Sequence, residues 1–125
     1  MHEMSLVASL QDIVTNAAHR SPFLRVERLY LVIGNLSCVD AETLRWCIRS
    51  SAEGTLLEGA DIVVEHEQAL AHCQQCHLDY VPDTLITPCP QCGQPAQSID
   101  GGRDMRIRAI DVVPLSTTSE SEGGQ

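Results

Sequence analysis

Four of the six cysteines stand in two close pairs, Cys73-Gln-Gln-Cys76 and Cys89-Pro-Gln-Cys92, with twelve residues between the pairs. Two residues between thiolates allow each pair to hold one metal ion from a single tight turn. Four thiolates then complete a tetrahedral Zn²⁺ site with no open position for a reacting water. A module of about 25 residues cannot build its own apolar core, so the bound metal must supply its folding free energy, roughly 10–16 kcal/mol in comparable peptides. The spacing therefore predicts a structural zinc site in a small inserted module.

The second pair leaves iron open as an alternative metal, because the CPQCG sequence of residues 89–93 resembles the iron-binding turn of rubredoxin. A rubredoxin, however, would surround its iron with more aromatic side chains than Tyr80 alone, and only 3% of this chain is aromatic. His72 and His77 flank the first pair, where either could hydrogen-bond to a ligand or replace one. Zinc is the favoured metal.

Composition excludes several classes of function. All eight basic residues are arginines, so the chain has no lysine for a phosphate-binding loop or a Schiff base, and its formal net charge is −9. Nucleic-acid binding needs a basic face, which such an acidic chain is unsuited to provide. No apolar run approaches the roughly 18 residues that span a bilayer, and the N-terminus lacks the features of a signal peptide. We therefore expect a cytoplasmic protein that binds neither nucleic acid nor membrane.

A cytoplasmic location also bears on the cysteines, because disulfides are rare in reducing compartments. The four paired cysteines then indicate metal binding. The other two, Cys38 and Cys47, fall near a strand end and on a helix stripe. Both are expected to be buried as small apolar side chains.

Hydrophobic periodicity predicts two helices and three strands. The first helix has apolar residues at three- and four-residue steps, and the second has a shorter stripe that follows a cap at Ser37 or Asp40. Alternation predicts strands over residues 26–34, 60–68 and 103–113, the first of which ends at Gly34-Asn35. The two helical stripes are Met4, Val7, Leu10, Val14 and Ala17, and Leu44, Cys47, Ile48 and Ser51.

The order of these elements predicts an α+β fold. A three-stranded sheet carries two helices on one face, and an inserted zinc-ribbon-like module with a four-cysteine site interrupts that layer. We expect residues 1–70 and 96–113 to form an α/β domain, and residues 71–95, which show no periodicity, to form the inserted zinc-binding domain. Residues 114–125 have almost nothing to bury and are expected to be a disordered tail.

The chain begins Met-His-Glu, which places an imidazole beside the free α-amine. The α-amine, together with the backbone nitrogen and the imidazole of His2, can close adjacent chelate rings on one metal ion. The backbone nitrogen of Glu3 can reach another corner. Nitrogen donors in one plane select Ni²⁺ or Cu²⁺ over Zn²⁺, which prefers a tetrahedron. The nitrogen donors at the N-terminus therefore predict a metal site of a different kind from the four-cysteine site.

Three motifs together resemble the HypA/HybF family of nickel-incorporation proteins for [NiFe] hydrogenase maturation: MHEMSL at the start, IGNLSCVD after the first strand, and the paired CxxC insert. The resemblance covers roughly residues 1–113. It implies a nickel metallochaperone whose α/β domain holds Ni(II) as transient cargo at His2 and Glu3. It implies structural Zn(II) at Cys73, Cys76, Cys89 and Cys92.

The same resemblance implies partners. These are a HypB-type GTPase and the large subunit of [NiFe] hydrogenase, which would receive the nickel. We also expect that the chain can form a homodimer.

Two other functions use the same residues. The first is a zinc-ribbon adaptor that mediates protein contacts, with His2 incidental, and measured nickel affinity would separate it from a nickel carrier. The second is an electron carrier with rubredoxin-like iron, which a red colour on aerobic purification would reveal. The sequence shows no nucleophile–base pair and no paired acid carboxylates at helical spacing, so we expect a binding protein and not an enzyme.

Overall fold

The computed structural model describes residues 3–115. The elements in this range are α1 (Glu3–Arg20), β1 (Arg25–Gly34), α2 (Ala41–Ser50), β2 (Asp61–Glu67), β3 (Leu70–Cys73), β4 (Leu78–Tyr80), β5 (Ser98–Asp100) and β6 (Met105–Val113). They form two three-stranded sheets, with strand orders β2-β1-β6 and β4-β3-β5. His2, predicted to bind nickel, and residues 116–125 of the predicted disordered tail lie outside the described range.

The predicted α+β class, with its helices, main sheet and four-cysteine module, is confirmed. The chain divides into two compact units. The second unit contains Val32–Val39 and Val64–Arg106. The first unit contains Asp40–Val63 together with the described residues before Val32 and after Arg106. Neither helix of the described range is long and apolar enough to cross a membrane.

The first unit is built on the predicted helical stripes. In α1, Val7, Leu10 and Val14 are buried, whereas Met4 is 53% exposed. Successive helical residues are about 100° apart, so Met4 falls at the margin of the face that these three residues define. The expectation that Met4 joins the stripe was therefore wrong, and Ala17 is only half-buried, whereas Val7, Leu10 and Val14 are buried as predicted. The core of this unit also contains Leu29 and Leu31 of β1.

Helix α2 begins at a cap formed by Asp40. The Asp40 carboxylate accepts hydrogen bonds from the Thr43 N–H at 2.9 Å and from the Thr43 hydroxyl at 2.6 Å. The Thr43 hydroxyl and N–H lower the pKa of Asp40, since both bonds favour the charged form. Of the two predicted caps, Ser37 and Asp40, the structure selects Asp40. The helix then buries the apolar stripe that begins at Leu44, and it packs against α1.

The second unit contains a sheet that the sequence did not reveal. Strand β3 pairs antiparallel with β4 on one side and with β5 on the other. Two of these strands lie within residues 71–95 or overlap them, where no periodicity was detected. Strands of three or four residues are too short to show an alternating pattern. This small sheet nevertheless positions the first cysteine pair.

Candidate metal centre

The four paired cysteines converge in the second unit. Their Sγ atoms all lie within 4.8 Å of one another, and the Cys73 and Cys92 sulfurs are 3.6 Å apart. Sulfurs at the corners of a tetrahedron with zinc–sulfur bonds of about 2.3 Å would be about 3.8 Å apart, whereas disulfide-bonded sulfurs would be about 2.05 Å apart. The arrangement therefore suits a tetrahedral ion and contains no disulfide among these residues.

Strand β3 and a tight turn build the first half of the site. Cys73 ends β3 opposite Leu78, the first residue of β4, so the chain reverses between them. The Cys76 N–H donates to the Cys73 sulfur at 3.4 Å, which directs the positive end of a backbone dipole at that sulfur. His77 closes the turn in the left-handed region at φ 55°. This conformation is costly for a residue with a Cβ, so the turn is held by its surroundings.

The second half repeats the same turn with a better-suited residue. The Gly93 N–H donates to the Cys89 carbonyl and the Cys89 N–H to the Gln94 carbonyl, both at 2.9 Å. Gly93 has φ 77°, which glycine adopts without the penalty that His77 bears at the matching position. The Gln91 N–H donates to the Cys89 sulfur at 3.4 Å. Each CxxC pair thus forms a turn that points a backbone N–H at its own first sulfur.

Backbone donors lower the pKa of one cysteine of the cluster, whereas the crowding of the thiols raises the pKa of another. N–H groups of Cys92 and Gln91 lower the pKa of Cys89 to about 7. Hydrogen bonding with the Cys92 thiol, together with burial and the other sulfurs, raises the pKa of Cys76 to about 12. The pKa of the Tyr80 hydroxyl is also raised, by burial and by the nearby thiols of Cys89 and Cys73. Without a metal, Cys89 is therefore the thiol primed to ionise, and Cys76 stays protonated at neutral pH.

The donor set identifies the kind of ion that fits. The only cluster of three or more candidate ligands among residues 3–115 consists of these four cysteines, without a carboxylate or an imidazole. Four thiolates in tetrahedral disposition suit zinc or iron and are poorly matched to magnesium or calcium. Cys73 and Cys89, the first cysteine of each pair, are buried, whereas Cys76 is half-buried and Cys92 is exposed.

The two flanking histidines do not join this cluster. The His72 Nδ1 lies 2.7 Å from Asp79 Oδ1, across the β3–β4 pair. His77 is exposed in the turn. Of the unpaired cysteines, Cys47 is buried as predicted, but Cys38 is exposed, which corrects the expectation of burial. Cys38 lies in the loop between β1 and α2, where its backbone has φ 62°, and so belongs to neither of these two elements.

Glu3 is the one predicted nickel residue that lies within the described range. It begins α1, and its Oε2 accepts a hydrogen bond from the backbone N–H of Asp40 at 3.2 Å. The sequence predicted Asp40 only as a helix cap. No pattern in the sequence links these two residues, because 37 positions separate them.

Fold and site together define a small α+β metal-binding protein with a four-cysteine centre. Residues 1–112 match the family described as "Hydrogenase/urease nickel incorporation, metallochaperone, hypA". The chain belongs to this HypA family.

Relatives and solved structures agree with this assignment. Hydrogenase maturation factor HypA of Chlorobaculum tepidum is 31% identical over 112 residues, covering 90% of this chain and 99% of the relative. The factor of the same name from Geotalea daltonii is 37% identical over 114 residues, covering 90% and 100%. The fold resembles the solution structure of the Ni metallochaperone HypA from Helicobacter pylori, with a TM-score of 0.65, 24% identity, and coverage of 91% and 99%.

Proposed function

We propose that this protein is a metallochaperone that binds Ni(II) and helps to insert it into the large subunit of [NiFe] hydrogenase. The observation that carries the proposal is the family match over residues 1–112, whose description is nickel incorporation. That match includes the Met-His-Glu start as well as the four cysteines. The relatives are named for hydrogenase maturation, and the similar H. pylori structure is named for nickel.

Nickel would bind at the chain start, through His2 and Glu3. The α-amine, the backbone nitrogens and the His2 imidazole are the donors that select Ni(II) in a planar arrangement. The hydrogen bond from the Asp40 N–H to the Glu3 carboxylate supports this assignment, because it holds the first helical residue to the start of α2. A carboxylate already engaged in this way would position the backbone of Glu3 and would not itself need to be a ligand.

Structural Zn(II) would bind separately at Cys73, Cys76, Cys89 and Cys92. The all-sulfur donor set and the 3.6 Å contact between the Cys73 and Cys92 sulfurs support a closed site. A closed tetrathiolate site has no open coordination position, so its role is to stabilise the second unit. The cargo and the structural metal would then differ in both donors and geometry.

The proposal also includes the partners, the cellular location and the self-association of the protein. A HypB-type GTPase and the hydrogenase large subunit would be its partners, in the cytoplasm, and a homodimer would be its self-associated form. Names of the relatives that refer to hydrogenase maturation support the hydrogenase part. The chain would act by binding and transfer of a metal ion and not by catalysis.

Metal content per chain tests the proposal directly. Purified full-length protein should contain about one zinc per chain, and a nickel titration followed by gel filtration should add about one nickel without displacing zinc. A colourless protein that gains no nickel would favour the zinc-ribbon adaptor, and a red protein rich in iron would favour the electron carrier. Elemental analysis before and after the titration gives the numbers.

Zinc affinity should rise with pH over roughly pH 6–8. A metal-bound thiolate carries no proton, whereas in the metal-free protein Cys76, with a pKa of about 12, is protonated throughout this range. Cys89 also becomes protonated below its pKa of about 7. Each proton released on binding weakens the affinity about tenfold per unit fall in pH, so the decrease should steepen below neutrality. Competition with a chelator of known pH dependence measures the slope, and an affinity independent of pH would contradict the thiolate assignment.

A further inference from the structure

Asn35, which follows β1, makes three hydrogen bonds to segments on either side of the first cysteine pair. Its backbone N–H donates to the Glu67 carbonyl at 2.9 Å. Its side-chain oxygen accepts from the Ala69 N–H at 2.7 Å, and its side-chain nitrogen donates to the Pro82 carbonyl at 3.1 Å. One amide side chain thus bridges two stretches of chain that are 13 positions apart.

These two contacts lie at the two ends of the first cysteine turn. Ala69 immediately precedes β3, which ends at Cys73, and Pro82 follows β4 in the connection that leads to Cys89. Asn35 lies at the surface, but its two side-chain partners are buried, with Ala69 0% and Pro82 less than 2% exposed. A buried polar group that loses its partner is costly, so these contacts matter more than the exposure of Asn35 suggests.

The backbone at Ala69 is packed directly against the backbone at Gly102. A methyl group added at Gly102 would collide with the Ala69 nitrogen, which means that two backbone segments are in direct contact there. The Gly102 carbonyl in turn accepts a hydrogen bond from the Leu36 N–H at 2.7 Å. Within the second unit, the loop that carries Asn35 is therefore held by hydrogen bonds at two adjacent residues, Asn35 and Leu36.

We propose that Asn35 is a positioning residue for the four-cysteine metal centre. By holding Ala69 and Pro82 together, it fixes where β3 delivers Cys73 and where the chain departs towards Cys89. The metal site is thereby supported from the β1–α2 loop, 38 positions before its first ligand, and is not self-contained within the cysteine-rich segment. The inference rests on the proposed binding of zinc by these cysteines.

The change to test is Asn35→Ala in the full-length protein. Groups that orient metal ligands typically contribute 10- to 100-fold to metal affinity, and we expect Asn35→Ala to weaken zinc binding about tenfold. Asn16, the other asparagine of the chain, is exposed on α1, and Asn16→Ala is the matched control with an affinity equal to that of the unaltered protein. Zinc competition with the chromophoric chelator 4-(2-pyridylazo)resorcinol measures the affinities.

Cobalt spectra separate positioning from general destabilisation. Co(II) substituted for zinc reports the ligand field directly, and we expect its d–d bands to shift in Asn35→Ala but not in Asn16→Ala. Equal zinc affinities and identical cobalt spectra in these two variants would overturn the proposal. So would a weakened affinity with an unchanged cobalt spectrum, because Asn35 would then act on stability alone.

A second pair of variants covers the case in which Asn35→Ala does not fold. Asn35→Asp keeps the acceptor for the Ala69 N–H but loses the donor to the Pro82 carbonyl, and Asn16→Asp makes the same charge change elsewhere. Zinc affinity should fall for Asn35→Asp relative to Asn16→Asp, and equal affinities would contradict the proposal. Failure of the unaltered protein to bind zinc would instead contradict the zinc assignment itself.

Discussion

Replacing Cys73 or Cys92 with alanine should abolish stoichiometric zinc binding and unfold the cysteine-rich segment. Three thiolates cannot complete the closed tetrahedron, and a module of this size draws its folding free energy from the metal, roughly 10–16 kcal/mol in comparable peptides. Residues 71–95 bury few apolar side chains that could replace that contribution. Elemental analysis and amide hydrogen exchange over these residues measure the two effects.

The control for this experiment is Cys38→Ala. Cys38 is an exposed cysteine of the same unit, and it lies outside the cluster of four. The Cys38→Ala protein should therefore retain a full zinc equivalent and the hydrogen-exchange protection of residues 71–95. Retention of full zinc in both Cys73→Ala and Cys92→Ala would contradict the four-thiolate site.

The same cysteine variants should spare the helices of the first unit. Its core is formed by α1, α2 and β1 side chains such as Val14, Leu44 and Leu29, none of which contacts a metal in the proposal. Far-ultraviolet circular dichroism should therefore keep its helical signal. Loss of that signal on removing one thiol would show that the helices depend on the metal.

Much of this fold could be predicted because its longer elements have strong local signals. Helix α1 shows a three- and four-residue apolar repeat, and α2 begins at Asp40, one of the two caps that the sequence predicted. The four cysteines were predicted from spacing alone, since two-residue gaps already specify the turn. The structure brings all four sulfurs within 4.8 Å.

What escaped prediction depends on contacts between distant parts of the chain. In the sequence, Gly34-Asn35 marks only the end of a strand. In the structure, Asn35 hydrogen-bonds to Ala69 and Pro82, which lie 34 and 47 positions further along the chain. Strand β5 is only three residues long, and it is recognisable as a strand because it pairs with β3. Cys38 was expected to be buried near the end of a strand, but it lies in a loop, with φ 62°, and is exposed. No local pattern encodes these pairings, because their partners are fixed by the assembled backbone.

Replacing His2 with alanine should abolish nickel binding and leave zinc content and fold unchanged. The imidazole is the one side-chain nitrogen in the proposed chelate, and its loss removes both a donor and a chelate ring. The buried residues of α1 are Val7, Leu10 and Val14, so the substitution leaves all of these side chains in place. The control is His19→Ala, which removes an exposed imidazole from the other end of α1. Calorimetric titration with nickel, with zinc measured in parallel, should show binding only in the control.

A residue fused ahead of Met1 tests the terminal amine separately from the imidazole. The fusion converts the amine into an amide and moves His2 away from the terminus, yet it removes no side chain. If the amine is a ligand, this protein should lose nickel binding as fully as His2→Ala does, with one zinc retained. Binding that survives the fusion but not His2→Ala would keep the nickel site at His2 and assign its remaining donors to backbone amides. Undiminished nickel binding in His2→Ala would place the nickel elsewhere and contradict the proposed site, because no other group at the chain start supplies an imidazole.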